Sequence, residues 1–182
     1  GVRTLATLAA DYLNQKRKHN NYSAPIYDSD LTRKGAPANP SRPQWLAKYP
    51  EEIELVFFDL ETTGGNPGNS EVIEIAAIKK IGGKQVGKFQ TLVNPKRTIP
   101  KIVRKMTGID NEMVSNAPVI EDVIDDLLKF IGNSVLVSHG VINDYAFIAN
   151  YAKILRNIDF KNYYICTHLV VSNFLPNIPT KS

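Results

Sequence analysis

Apolar residues in the middle of the chain come in short runs separated by turn-forming residues. The first run, Leu55-Val56-Phe57-Phe58, continues into Asp59-Leu60-Glu61-Thr62-Thr63-Gly64, a buried strand that ends on two carboxylates. Strand side chains alternate between faces, so Asp59 and Glu61 point the same way and Leu60 the other. Val72–Ile78 predicts a second strand, Gly82-Gly83 a turn, and Phe89–Val93 a third strand; the short connections make an antiparallel meander. Ile120, Val123, Ile124, Leu127, Leu128 and Ile131 then keep helical spacing, with Pro118 expected in the first turn and Gly132 ending the helix. Ser134–Ser138 predicts a fourth strand, apolar on both faces, which His139-Gly140 turns into a helix with Phe147, Ile148, Tyr151 and Leu155 as its buried stripe. Tyr163–Cys166 predicts a fifth strand, and Thr167 to Leu175 the start of another helix. This order of elements predicts an α/β domain with a mixed five-stranded sheet flanked by helices.

Residues 1–50 have a different character from residues 51–182, the expected folded domain. Leu5, Leu8, Ala9, Tyr12 and Leu13 predict a short amphipathic helix. The basic run Lys16-Arg17-Lys18-His19 follows it, placed either to touch phosphates or to be solvated, with solvation the commoner outcome. Asn20, Asn21, Pro25, Gly35, Pro37, Pro40 and Pro43 then read as linker, and Trp45, Leu46 and Tyr49 as anchors for its end. A start at Gly1 instead of Met fits a processed product, a tag remnant or an excised fragment.

Composition narrows the class. No apolar run approaches the roughly 20 residues of a membrane span, and no signal peptide is apparent, so no membrane partner is expected. The single cysteine, Cys166, rules out an internal disulfide and fits a reducing, cytoplasmic setting. The net charge of +4 suits a polyanionic partner.

Candidate chemistry centres on Asp59 and Glu61. Two carboxylates side by side repel unless a cation lies between them or one is protonated, and hard ions such as Mg²⁺ favour such oxygen clusters. Glu74, inside the second strand, is either a further ligand or, as favoured, a structural carboxylate hydrogen-bonded at the rim. Asp144 shares the buried face of its helix with Phe147 and Ile148. Either it or Asn143 caps the helix, or Asp144 points across to Asp59 and Glu61. Glu121, Asp122, Asp125 and Asp126 lie off their helix stripe and read as surface acids. Lys96, Arg97, Lys101, Arg104 and Lys105, beside Ile99, Ile102, Val103 and Met106, make either a path for a nucleic-acid backbone or a helix with a solvated face.

The string FFDLETTG, Phe57 to Gly64, resembles the first motif of the DEDD 3′–5′ exonucleases. It is most similar to the histidine-bearing branch typified by the proofreading exonuclease of bacterial DNA polymerase III. Met106-Thr107-Gly108-Ile109, Ala117-Pro118 and Phe130-Ile131-Gly132 resemble the same family. VSHGVINDYAFI, Val137 to Ile148, resembles its second motif, with Gly140 where the family usually has Asn and Asn143 where it has an aromatic residue. The resemblance implies a ribonuclease-H-like exonuclease fold over residues 53–182, with its C-terminal end missing.

The same resemblance implies two Mg²⁺ or Mn²⁺ ions, with Asp59 bridging both and Glu61 and Asp144 completing most of the cluster. Thr62 and Thr63, through their backbone N–H groups, together with Gly64 and His139, would meet the substrate. The family's third motif, a His followed five residues later by an Asp, would supply the general base and a further ligand; the chain stops at Ser182 before it. His168 and Asn173 have that spacing but follow the fifth strand too directly, so the match is taken as coincidence, and His139 reads as a supporting residue. The implied function is a metal-dependent 3′–5′ exonuclease, proofreading or repair-like. Its substrate would be single-stranded DNA or DNA 3′ ends, RNA not being distinguished, and its partner a DNA polymerase. The alternative is a catalytically inactive module that binds nucleic acid or a polymerase.

Overall fold

The computed structural model describes residues 53–168. The expected N-terminal helix and linker, most of the helix after Thr167, and Asn173 lie outside them. Strands β1 (Glu54–Thr62), β2 (Val72–Ile81) and β3 (Lys84–Leu92) come first, followed by helices α1 (Lys101–Thr107), α2 (Asn111–Ser115) and α3 (Ile120–Ile131). Strand β4 (Val135–Ser138), helix α4 (Val141–Arg156) and strand β5 (Tyr164–Cys166) complete the described domain. The sheet runs β3-β2-β1-β4-β5. The first three strands pair antiparallel, whereas β4 lies parallel to both β1 and β5, giving the expected mixed sheet.

Alternation along β1 divides the sheet's two faces. Val56, Phe58 and Leu60 are buried with Ile75 and Ala77 of β2, with Ile124, Leu127 and Ile131 of α3, and with Phe147 and Ile148 of α4. Burying each such side chain stabilises by about 1.5–3 kcal/mol. Phe57, Asp59 and Glu61 face the other way. There a cavity of about 410 Å³ is lined by Phe57, Asp59, Ala76, Ile78, Val137, Ser138 and His139, among others.

Three expectations change in detail. Strand β3 begins at Lys84, ahead of Phe89, because Gly82 and Gly83 (φ 55° and 79°) form a two-residue turn that pairs Ile81 with Lys84. Pro118 stands outside α3, whose N-cap is Val119; the Pro118 carbonyl instead accepts a 2.8 Å hydrogen bond from the Asn94 N–H. Neither Asn143 nor Asp144 caps α4: the N-cap is Gly140, at φ 76° with no side-chain hydrogen bond. That left-handed backbone suits glycine. Arg156 of α4 binds both carboxylate oxygens of Asp125 (2.6 and 3.0 Å) and the Glu121 carbonyl (2.8 Å), tying α4 to α3. Among the described residues, no helix is long and apolar enough to cross a membrane.

Candidate active site

The site forms where β1 and β4 end. The parallel pairing extends to Phe57 opposite Val137, and β4 stops one residue later at Ser138. Strand β1 continues, placing Asp59 opposite Ala76 and Glu61 opposite Glu74 of β2. The register then slips between Glu61 and Thr62, so that Thr62 faces Val72. A bulge of this kind re-aims the strand just after its carboxylates. Asp144 comes from the first turn of α4, and the Ser138 hydroxyl donates to its Oδ2 at 2.5 Å.

The charges show which residues meet. Burial raises Asp144 to about 7; the Ser138 hydrogen bond opposes this, and the charges of Asp59 and Glu61 add to it. Burial also raises Glu61, followed by the charges of Asp59 and then Glu74. Asp59, Glu61 and Asp144 therefore occupy one electrostatic field, assembled from one strand end and a helix start. Glu74, expected as a rim carboxylate, accepts from Gln90 Nε2 at 3.3 Å and adds its charge to that field.

The donor set suits a hard divalent cation. All three groups are oxygen donors, and Asp144 and Glu61 are pushed toward their neutral forms first by burial and then by like-charged neighbours, whose repulsion a cation would offset. Among the described residues, however, no three His, Cys, Asp or Glu side chains are gathered closely enough to hold a metal as they stand. One oxygen of Asp144 is held by Ser138.

Beyond Glu61 the chain is tied down locally. The Thr62 hydroxyl donates to the Gly64 carbonyl at 2.8 Å. The Thr63 N–H donates to the Glu71 carbonyl (2.8 Å), and the Glu71 N–H donates back to Thr63 Oγ1 (2.9 Å). Of the two threonine N–H groups expected at a nucleotide, that of Thr63 is thus already engaged. At Gly64 a Cβ would lie 2.7 Å from Ser70 Oγ, so any larger residue must displace Ser70. His139 lies beside the site: its Nδ1 is 3.3 Å from Thr167 Oγ1, and its ring meets His168 edge-on at 5.3 Å.

Ser138, Glu71 and Tyr151 contribute contacts that sequence reading had not assigned. A lone hydroxyl closing an apolar strand was the available signal for Ser138. Tyr151 lies seven residues after Asp144, two turns along the same helix face, where its spacing with Phe147 and Ile148 marks it as core.

This sheet order, with carboxylates at the end of β1 and the start of the helix after β4, defines a ribonuclease-H-like nuclease fold. The chain belongs to the RNase T exonuclease family, which it matches over residues 56–181. It is 40% identical over 124 residues to the DNA polymerase III subunit epsilon of Aquifex aeolicus, covering 68% of this chain and 61% of that subunit. It is 46% identical over 102 residues to the PolC-type DNA polymerase III of Caldanaerobacter subterraneus, covering 56% of this chain and 7% of that polymerase. The chain thus spans about three fifths of the first relative and a small part of the second. Among solved structures, Exonuclease X in complex with 5′ overhanging duplex DNA superposes with a TM-score of 0.55 at 28% identity, covering 70% of this chain and 68% of that one.

Proposed function

We propose that the chain is a metal-dependent 3′–5′ exonuclease hydrolysing the phosphodiester bond at the 3′ end of DNA. The observation that carries this reading is the shared field of Asp59, Glu61 and Asp144 at the adjoining ends of β1 and β4. These three carboxylates would hold Mg²⁺ or Mn²⁺. A bound pair of such ions supplies charge to offset the scissile phosphate and acidifies a water for in-line attack. The chain's own part is positional. Ser138 fixes one oxygen of Asp144, leaving the other free, while Thr62 and Gly64 bring backbone to the edge of the site and Thr63 anchors it. His139 lines the same cavity as Asp59.

DNA as substrate and a DNA polymerase as partner rest on the relatives: a DNA polymerase III subunit and a PolC-type DNA polymerase III in sequence, and a DNA-bound exonuclease in structure. Lys101, Arg104 and Lys105 on α1, beside the exposed Ile102 and Met106, offer the approaching strand cations and apolar surface. A second reading, a module that binds DNA without cutting it, draws on the fact that the carboxylates are not gathered around a common point.

The two readings separate on a 5′-labelled single-stranded DNA incubated with the chain and Mn²⁺, beside Asp59→Ala. A ladder shortening from the 3′ end, absent in the variant, is the expected result. Retained binding without shortening would establish the second reading, and neither binding nor cleavage would refute both.

A further inference from the structure

The loop from Thr63 to Glu71 joins the first carboxylate strand to β2, and two side chains from the second half of α4 reach it. The Tyr151 hydroxyl donates to Glu71 Oε2 at 2.7 Å and accepts from the Val72 N–H at 3.3 Å. One turn of the loop is held by Asn150, whose Nδ2 donates to the Pro67 carbonyl at 3.1 Å. Tyr151 is buried at 5% exposure, as is Val72 beside it, and Thr63 and Ser70 of the loop are buried as well. A buried phenol that makes a short hydrogen bond to a carboxylate is costly to leave unpaired. Burial and the Glu71 carboxylate both hold the phenol in its protonated, donating form.

Glu71 is in turn the residue that grips Thr63, through its own carbonyl and N–H. A continuous chain of contacts therefore runs from Tyr151 through Glu71 to Thr63 and the neighbouring Thr62 and Gly64. Helix α4 also carries Asp144, two turns before Tyr151. One rigid helix thus sets both the third carboxylate and the loop at the end of the first carboxylate strand.

We propose that Tyr151 and Glu71 form a clasp that positions the Thr62–Gly64 segment against Asp144 and so fixes the grip on the 3′-terminal nucleotide. They act as positioning residues and touch neither substrate nor ion. The inference rests on the exonuclease reading above. It assigns to the clasp the spacing between the substrate-contacting backbone and the carboxylates, which Tyr151 can alter without losing its place in the core, because Phe fills the same volume.

The test uses the whole chain and a 5′-labelled single-stranded DNA with Mn²⁺, comparing wild type, Tyr151→Phe, Glu71→Leu, Glu71→Gln and the Tyr151→Phe/Glu71→Leu double variant. Amide exchange of residues 63–72 is followed in parallel. Tyr151→Phe and Glu71→Leu are each expected to raise KM five- to tenfold with kcat within twofold, and to speed exchange at the Thr63 and Glu71 amides. The double variant should be no worse than either single one, because the two act as a unit. Glu71→Gln, which keeps an acceptor for the phenol, should stay within twofold of wild type. Faster exchange with KM unchanged would make the clasp purely structural and overturn the proposal, as would unchanged exchange. A wild-type chain that neither cuts nor binds the DNA would sink the exonuclease reading itself, and the clasp's role with it.

Discussion

Phe58 and Asp59 are neighbours in sequence and belong to different halves of the molecule. Phe58 joins the face of β1 that packs on α3 and α4, where its neighbours are aliphatic and aromatic side chains and no carboxylate belongs to the core. Asp59 joins the opposite face, where an acid stands within the field of two others and beside an open cavity. One strand thus carries stability on its even-numbered side and chemistry on its odd-numbered side, separated by a single peptide. The difference teaches that the costly feature, clustered like charge, is tolerable because the other face of the same strand is so thoroughly buried.

The most severe way to break this pairing is at Asp59. Asp59→Ala should lower turnover by about 10²–10³-fold, the scale for losing one group that stabilises developing charge. Its metal-free melting temperature should hold or rise slightly, because a like charge has gone. Single-turnover degradation beside thermal melting checks both halves. Phe58→Ala should do the reverse. It should cost about 3–5 kcal/mol of stability through the lost burial and the cavity left behind, while below its lowered melting temperature the folded fraction still cuts. An Asp59→Ala protein that melts far below wild type would end the contrast.

A third outcome concerns pH. The folded Asp144 pKa, about 7, lies above its unfolded value near 3.8. The folded state therefore binds more protons between those values, and the stability this group contributes is full at low pH and lost as pH rises toward 7. In chelator-treated protein the melting temperature should fall from pH 5 to pH 8, and Asp144→Asn should flatten that slope. Adding Mn²⁺ at pH 8 should restore the loss by about 2–3 kcal/mol at a hundredfold excess over its dissociation constant. No response to Mn²⁺ at pH 8 would refute the donor set. The smallest effect belongs to Glu74→Gln. Removing one charge from the Glu61 field should move the acid limb of Mn²⁺ binding to lower pH, because a like charge that raises Glu61 has gone. Mn²⁺ titrations across pH 5–8 read it.

What the sequence made legible was local. The twofold alternation of β1 and the helical stripe of α3 are properties of neighbouring residues, and the carboxylates at the end of β1 follow from the first. Strand β3 was only half visible because Lys84, Gln85 and Lys88 are polar; the Gly82-Gly83 turn recruits them, not hydrophobicity. Pro118 lies two residues ahead of α3, its carbonyl bound to the Asn94 N–H, a contact that helical periodicity cannot register. Asp144 left a cap and a site residue both open, and the choice turned on Ser138 and on strands far away in the chain. The Tyr151–Glu71 contact joins positions 80 apart, and no spacing rule connects them.

That same remoteness governs when the carboxylate centre comes into being. The parallel pairing matches Leu55 with Val135 and Phe57 with Val137, so a ribosome must add about eighty residues after β1 before its partner strand emerges. The β1–β3 meander, built from near neighbours, is complete in a nascent chain long before then, and distant pairings close late because loop closure must precede their reward. Until β4 and the first turn of α4 arrive, Asp59 and Glu61 are two acids on a half-made sheet. The third acid and the Ser138 hydroxyl that binds it enter together, six positions apart, so the centre can be completed only after the meander's own residues have all been made.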